Sequence, residues 1–308
     1  MTRYKQIFDS IHKELHKVIV GQDEMIEQVL ICLLADGNAL LEGAPGLAKT
    51  LTIKTLSEIV DLKFSRIQNT PDLMPSDITG TFIIVESKGH REFKFQPGPI
   101  FANIILADEI NRATPKSQSA FLEAMEEKQV TVGNNTYKLD RPFFVLATQN
   151  PIEQEGTYPL PEAQADRFLL KILLGYPTEE EEVEIVKRFT EGKALEKPKA
   201  LIDAKKLQKL QELAAEVPIA KDLRNAAVKI VAATRENKHV FLFGASPRAS
   251  LSLIKAAKAR ALMQGRAHVS AEDIKVLAAP VLRHRVILSF DAERQGMSPD
   301  DAIKSIIK

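Results

Sequence analysis

The sequence predicts an α/β domain, with a parallel sheet covered by helices on both faces, followed by a smaller all-helical domain. Three observations support this fold class. Short, nearly continuous apolar runs alternate with helical patterns over the first 175 residues, as in buried parallel strands. A glycine-rich loop joins the first of these runs to a helix. After about residue 175 the apolar positions recur only at helical spacing.

The first elements are two helices and a short strand. Apolar residues at helical spacing predict an amphipathic helix over residues 4–18 and a second helix over 23–35. Ala39-Leu40-Leu41 predicts a strand that runs directly into Gly43. The other predicted strands of the sheet cover residues 62–67, 104–107, 143–148 and 168–173.

Two segments interrupt this alternation and predict β-hairpins. The first covers residues 81–95 with a turn at 87–90, and the second covers 129–139 with a turn at 133–135. Insertions of this kind often carry function.

The domain division follows from the change of pattern. We predict an α/β domain over residues 1–175, a linker and the first helix of the second domain over 176–198, and a smaller helical domain, the lid, over 199–308. Thr178 and Glu181 have the spacing of a capping box, and residues 192–198 are typical of a linker. Three later helix starts are predicted at Ser246-Pro247, Ser270 with Asp273, and Ser298-Pro299.

Composition limits the function class. The 308 residues include 42 Lys and Arg against 41 Asp and Glu, and this near-neutral balance argues against a dedicated nucleic-acid binder. The single cysteine, Cys32, lies in an apolar run and is expected to be buried, and no Cys/His cluster has zinc spacing. No apolar run is long enough to span a membrane and no signal segment is evident, so a cytoplasmic location is expected.

The loop after the first strand has the pattern of a phosphate-binding loop. Glycines let main-chain N–H groups surround phosphates, the new helix adds its positive end, Lys49 supplies a cation, and Thr50 can ligate Mg²⁺. The generic pattern has glycine at position 48, where an alanine is sterically mild if its φ stays negative. The residues predicted to bind the nucleotide here are Gly43, Ala44, Pro45, Gly46, Leu47, Ala48, Lys49, Thr50 and Leu51.

Two carboxylates follow the strand over residues 104–107. Because ligands bind beyond the carboxyl ends of parallel strands, Asp108 and Glu109 are expected to face the nucleotide. Asp108 suits a partner of Mg²⁺, and Glu109 suits orienting and deprotonating the attacking water.

These residues resemble the AAA+ superfamily of P-loop NTPases, and most closely its MoxR family. The resemblance covers essentially the whole chain, and its motifs occur in order. Beyond the phosphate loop they are Asp108–Ala113, Lys116–Glu127, Ala147–Pro151, Leu160–Phe168 and Gly244–Ala249.

The resemblance implies further site residues. Asn150 corresponds to sensor 1, which helps to hold the attacking water, and Arg167 to an arginine finger that reaches the nucleotide of a neighbouring subunit. Arg248, on the lid helix after Pro247, corresponds to sensor 2, where a cation and a positive helix end would meet a phosphate. The segment Val20-Gly21-Gln22 resembles the one that flanks the adenine.

The resemblance also implies a function, an ATP-dependent motor that uses Mg²⁺, assembles into a ring (hexamers are the family's habit) and remodels partner proteins. The partners expected are von Willebrand factor A-type domain proteins and client enzymes. Three alternatives stay open: a DNA-directed motor, an ATP-binding switch with little hydrolysis, and the motor subunit of magnesium chelatase. Glu109, Asn150 and Arg167 argue against the switch, and Ala48 with Ser246-Pro247-Arg248 against the chelatase subunit.

Overall fold

The computed structural model describes residues 2–87, 90–150, 157–191 and 196–307. The strands are β1 (Ala39–Gly43), β2 (Phe64–Gln68), β3 (Gly80–Ser87), β4 (His90–Pro97), β5 (Ile104–Asp108), β6 (Gln129–Val132), β7 (Asn135–Lys138), β8 (Phe144–Gln149), β9 (Leu170–Leu174), β10 (Phe241–Phe243) and β11 (Ile287–Leu288). The helices are α1 (Thr2–Leu15), α2 (Asp23–Leu34), α3 (Lys49–Ile59), α4 (Pro75–Thr79), α5 (Pro115–Glu127), α6 (Glu162–Ala165), α7 (Glu179–Thr190), α8 (Ala204–Glu216), α9 (Lys221–Glu236), α10 (Pro247–Met263), α11 (Ala271–Leu282), α12 (Phe290–Arg294) and α13 (Pro299–Ile306).

Five parallel strands form the central sheet in the order β2-β5-β8-β1-β9. All five strands predicted from the apolar runs are present, which confirms the α/β fold class. The loops that carry function leave β1, β5 and β8 at the same edge of the sheet, because the three strands are adjacent and point in one direction.

Each inner strand of the sheet is buried on both faces. Along β1, Ala39 and Leu41 belong to one apolar cluster and Leu40 to the other, as the two-residue period of a strand requires. The larger cluster joins one face of the sheet to α1, α2, α3 and the helices after residue 200. The smaller cluster joins the opposite face to α5 and the second hairpin.

The two predicted hairpins are present as β3–β4 and β6–β7, and they pack against each other. The ring of Phe95 on β4 stacks on that of Tyr137 on β7, with 4.0 Å between centroids and 15° between planes. Gly133 begins the turn of the second hairpin with φ of 61°, a conformation that glycine adopts at little cost. The predicted turn of the first hairpin includes Lys88 and Gly89, which lie outside the described residues.

The lid is a helical domain, and its predicted helix starts are confirmed. Ser246, Ser270 and Ser298 cap α10, α11 and α13, and Thr178 with Glu181 forms the predicted capping box of α7. The expectation that the chain is helical throughout after residue 175 was wrong in one respect, because β10 and β11 form a two-stranded antiparallel ribbon. Such short strands give no periodic signal. Residues 192–195 of the predicted linker lie outside the described part of the chain.

Among the described residues, no helix has both the length and the apolar character that a membrane crossing would require. Cys32 is buried in α2, as expected, and burial raises the pKa of its thiol.

Candidate nucleotide-binding site

A cavity of about 420 Å³ opens at the carboxyl ends of the central strands. It brings together most of the residues predicted to bind and hydrolyse a nucleotide. Its lining comprises Pro45, Gly46, Leu47, Ala48, Lys49, Thr50, Leu51, Arg66, Asp108, Glu109, Thr148, Gln149 and Asn150.

Two glycines shape the loop between β1 and α3. A Cβ at Gly43 would lie 2.7 Å from Cβ of Leu174 and 2.9 Å from its carbonyl oxygen, so the close packing of β1 on β9 excludes a side chain there. Gly46 has φ of 82° and faces open space, so it turns the main chain at little conformational cost. The loop therefore presents its backbone to the cavity, as a phosphate cradle requires.

Ala48 differs from the sequence expectation. Its φ is 56°, in the left-handed region. An alanine was expected to replace glycine here with little steric cost only if its φ were negative, and that condition is not met. An L-residue in this conformation places Cβ too close to the following carbonyl oxygen, at a cost of about 1–2 kcal/mol. The loop therefore carries local strain immediately before α3.

Replacing Ala48 with glycine is expected to stabilise the nucleotide-free protein. The relief of strain exceeds the entropy that glycine loses on folding, and the net gain of up to about 1 kcal/mol corresponds to a rise of about 1–3 °C in the unfolding midpoint. Calorimetry would measure that midpoint. Ala44→Gly is the matched control, because Ala44 does not have positive φ. An unfolding midpoint for Ala48→Gly at or below that of Ala44→Gly would contradict the inferred backbone strain at Ala48.

Lys49 lies inside the cavity at the first position of α3. Its ammonium group donates a hydrogen bond of 2.7 Å to the carbonyl oxygen of Gly43. Burial lowers the pKa of Lys49, while the carboxylates of Asp108 and Glu109 act in the opposite direction. A half-buried ammonium group between the loop and two carboxylates is well placed to attract a polyphosphate.

Asp108 is the last residue of β5, and both of its carboxylate oxygens accept hydrogen bonds. Thr148 Oγ1 donates to Oδ1 at 2.6 Å, and Arg66 from the neighbouring edge strand donates to Oδ2 at 2.6 Å. A carboxylate beside the phosphate loop and the hydroxyl of Thr50 are oxygen donors of the kind that Mg²⁺ prefers. These residues fit a magnesium site, with Arg66 as a competing cation.

Glu109 is held from two sides. Gln68 Nε2 and Arg112 Nη1 donate to its Oε2 at 2.9 and 3.1 Å. Its main-chain N–H donates to Thr148 Oγ1 at 2.9 Å, so Thr148 contacts both members of the acidic pair. Asn150, which follows β8, is buried and lines the same cavity. Pro151, which the motif also includes, lies outside the described residues.

Sequence reasoning missed Arg66, Gln68 and Thr148. The first two reach the acidic pair because β2 is adjacent to β5 with Gln68 opposite Asp108. No residue type marks that adjacency in the sequence. Thr148 could have been found, since it precedes Asn150 in a strand already predicted to end at the site.

Val20 and Gly21 lie in the connection between α1 and α2, and they do not line the cavity described above. Gly21 has φ of 61° and faces the first turn of α7, where an added Cβ would overlap Glu181 Oε1. Gln22 likewise has positive φ, at 64°. This close approach shows why the segment has glycine at position 21.

Arg167 and Arg248 lie together, but away from the phosphate loop of their own chain. Arg167 Nε is 3.2 Å and Arg248 Nη2 is 3.1 Å from the two carboxylate oxygens of Glu126. Both arginines line a second cavity of about 330 Å³, which also includes Asn38 and Leu169. Asn38 and Leu169 immediately precede β1 and β9, so this cavity lies at the opposite end of the strands from Lys49.

A buried ion pair fixes the lid in this position. The side chain of Arg285 is 1% exposed, and it donates to Asp166 Oδ1 at 2.7 Å and to the carbonyl oxygen of Leu169 at 3.2 Å. Ser246, which caps α10, donates to the other oxygen of Asp166 at 3.0 Å. The contacts place the start of α10, and with it Arg248, beside Arg167. The structure thus does not bring Arg248 to the phosphate loop of the same chain.

Comparison with known proteins agrees with the fold. Residues 38–170 match the model of the ATPase family associated with various cellular activities (AAA), and residues 232–306 match the AAA lid domain. Chaperone MoxR1 of Mycobacterium tuberculosis is 46% identical over 96% of this chain and 79% of its own length. Protein MoxR of Paracoccus denitrificans is 28% identical over 95% of this chain and 92% of its own length.

A solved structure is also closely similar. The crystal structure of a proposed ATPase from Cytophaga hutchinsonii superposes with a TM-score of 0.91 at 43% identity, covering 99% of this chain and 94% of that one. The similarity therefore extends over the α/β domain and the lid together. This chain belongs to the MoxR family of AAA+ ATPases.

Proposed function

We propose that this protein hydrolyses ATP in the cavity at residues 43–51, as one subunit of a homo-oligomeric ring that remodels partner proteins. The loop and Lys49 would hold the β- and γ-phosphates, and Thr50 and Asp108 would hold Mg²⁺. The bound metal would neutralise charge on the phosphate oxygens. The donor set, the glycine-shaped loop and the partly desolvated ammonium group of Lys49 support this assignment.

Glu109 is the proposed general base. Its carboxylate would orient a water molecule and take a proton from it as the water oxygen bonds to the γ-phosphorus, while the bond from that phosphorus to the bridging β–γ oxygen breaks to leave ADP. Asn150 would hold the same water through its amide. Gln68 and Arg112 bind one oxygen of Glu109 and so restrict the direction in which the carboxylate points.

The observation that best supports a ring is the separation of the two arginines from the phosphate loop. The five residues of β1 span about 16 Å, and the loop and the arginine pair lie at opposite ends of it. Arginines that stabilise negative charge in phosphoryl transfer must contact the phosphate. A neighbouring subunit that places this end of its strands against the loop would supply them.

The arginine pair has the form of an anion site. Glu126 contacts Arg167 through one oxygen and Arg248 through the other, so a single carboxylate bridges the two guanidinium groups. A γ-phosphate of the next subunit carries more negative charge than Glu126 and would replace it. Both arginines, including the one that corresponds to sensor 2, would then act in trans.

The proposed ring has six subunits, as is usual in the family. It is tested by measuring ATPase activity as a function of protein concentration. The site is completed between subunits, so activity per subunit should rise with the assembled fraction measured by mass photometry. Dilution to monomers should abolish it. Monomers that hydrolyse ATP as fast per subunit as assemblies would overturn the proposal.

The proposed partners are proteins, in particular those with a von Willebrand factor A-type domain, and client enzymes. The first hairpin exposes apolar side chains to solvent, with Phe93 76% and Ile84 61% exposed. Arg91 on the same hairpin lies 3.8 Å from Glu86, so its charge is partly compensated. An apolar and nearly neutral surface suits a protein better than a nucleic acid. The chaperone name of the Mycobacterium tuberculosis relative is consistent with this.

A further inference from the structure

Two histidines and a carboxylate converge where α1 meets α2. His12 lies in the last turn of α1 and His16 directly follows that helix, with 4.5 Å between ring centroids, and Asp23 is the first residue of α2. Asp23 Oδ1 is 2.9 Å from His16 Nε2 and 3.5 Å from His12 Nε2. One potential ligand atom from each of the three residues lies within 4.8 Å of the others.

The hydrogen bond on the far side of the His16 ring orients the ring. His16 Nδ1 is 3.2 Å from the carbonyl oxygen of Ile19. A carbonyl can only accept, so Nδ1 donates to it; the Asp23 carboxylate, 2.9 Å from Nε2, also only accepts, so Nε2 gives up its hydrogen when it binds a metal. Histidines that bind metals almost always donate their other ring N–H in this way, which orients the ring and fixes the free nitrogen. Here that arrangement directs Nε2 of His16 toward Asp23.

The spacing of the three groups fits a tetrahedral ion. With ligand bonds of about 2.0–2.1 Å, the ligand atoms of a tetrahedral zinc lie about 3.3–3.4 Å apart. The separations of Asp23 Oδ1 from Nε2 of His16 and of His12, 2.9 and 3.5 Å, fall on either side of that value, and the ligand atoms of all three residues lie within 4.8 Å of one another. The side chains are 35%, 30% and 67% exposed for His12, His16 and Asp23, so an ion can enter and keep a water ligand.

The charges around the cluster also favour a cation. Burial and His16 act most strongly against positive charge on the His12 ring, whereas the carboxylates of Asp23, Glu27 and Asp9 act in the opposite sense. Glu27 is itself paired with Arg260 at 3.1 Å, and the nearby Lys17 is paired with Glu14 at 3.0 Å. Arg188, which donates to the carbonyl oxygen of His16, is paired with Glu184, so these three cations each have a carboxylate partner.

We propose that His12, His16 and Asp23 bind a divalent transition metal ion, with Zn²⁺ as the physiological occupant. Imidazole nitrogens combined with one carboxylate suit zinc better than Mg²⁺ or Ca²⁺, which take oxygen ligands. The ion would join α1 to α2 and fix the connection that carries Val20 and Gly21. His12 and His16 are at positions i and i+4, but the third ligand follows at the start of a different helix, so no local spacing marks the complete set.

The test is Zn²⁺ binding to the nucleotide-free protein, measured by competition with a chromogenic chelator. Wild type is expected to bind about one equivalent. His16→Ala and Asp23→Asn should each weaken binding by at least about 10- to 100-fold. His268→Ala is the matched control, since His268 is an exposed lid histidine, and it should bind as wild type does. Cys32 is fully buried and cannot supply a competing site.

A second readout covers the case in which a variant folds poorly. Zn²⁺ should raise the unfolding midpoint of wild type and of His268→Ala, but not that of His12→Ala or His16→Ala, because only an intact site is stabilised by binding. Absence of stoichiometric binding in wild type, or equal affinity in His16→Ala, would overturn the proposal and leave an imidazolium–carboxylate ion pair. Neither result depends on ATP hydrolysis, so this inference can fail while the proposed function stands.

Discussion

An equimolar mixture of Arg167→Ala and Lys49→Ala subunits is expected to hydrolyse ATP, although neither variant does so alone. Arg167→Ala keeps the phosphate loop but lacks the arginine offered to its neighbour, and loss of such an arginine lowers the rate by about 10³–10⁵. Lys49→Ala keeps the arginine pair but loses the ammonium group of the loop. An interface between the two variants can combine an intact loop with an intact Arg167.

The size of the recovery can be predicted. If subunits mix at random, about a quarter of the interfaces pair an intact loop with an intact Arg167, so the mixture should approach a quarter of wild-type activity. Steady-state phosphate release after mixing measures this. Arg224→Ala is the control for loss of an exposed arginine and should stay near wild type alone. When it is mixed with Lys49→Ala, the ATPase activity should be no higher than its own intact phosphate loops account for.

Two results would refute action in trans. Wild-type activity of Arg167→Ala would reduce Arg167 to a local ion pair with Glu126. A mixture that assembles but stays inactive would mean that Arg167 acts within its own chain or that its substitution impairs the fold. Assembly of each variant is checked by mass photometry, so that failure to form rings is not mistaken for loss of activity at an assembled site.

The parts of the site that sequence predicted are those that depend on one segment of chain. The loop at residues 43–51 and the acidic pair after β5 each follow from a strand and the residues that end it, whereas Asn150 after β8 follows from the family resemblance. Adjacent parallel strands then bring these ends together at one edge of the sheet. This explains why local patterns suffice for most of the cavity lining.

The parts that sequence could not predict depend on three-dimensional arrangement. Gln68 and Arg66 reach the acidic pair only through the pairing of β2 with β5, which no local pattern specifies. The positive φ of Ala48 opposes the ordinary preference of alanine and is imposed by the loop. The place of Arg248 depends on how the lid docks through Arg285 and Asp166, residues far apart in sequence.

Replacing Glu109 with glutamine is expected to lower ATP turnover by about 10²–10⁴ while ATP binding is kept. The amide has nearly the shape of the carboxylate and its oxygen can still accept from Gln68, so the fold around the site is preserved. It cannot take a proton from water. Glu127→Gln is the matched control, because Glu127 is an exposed glutamate at the end of α5, and it should retain wild-type activity. Near-normal turnover in Glu109→Gln would assign the base elsewhere.

The Glu109→Gln protein also provides a test of the proposed partners, because an ATP-bound ring that cannot hydrolyse should hold its partner. With ATP present, we expect it to retain a protein with a von Willebrand factor A-type domain, and we expect Phe93→Ser in the same background to abolish that retention. Phe93 is 76% exposed, so its loss should leave the fold intact. Phe290→Ser is the control, since Phe290 is 72% exposed on the lid. Equal retention by both double variants would exclude the first hairpin as the contact surface, and repeated absence of any such partner would count against the remodelling role.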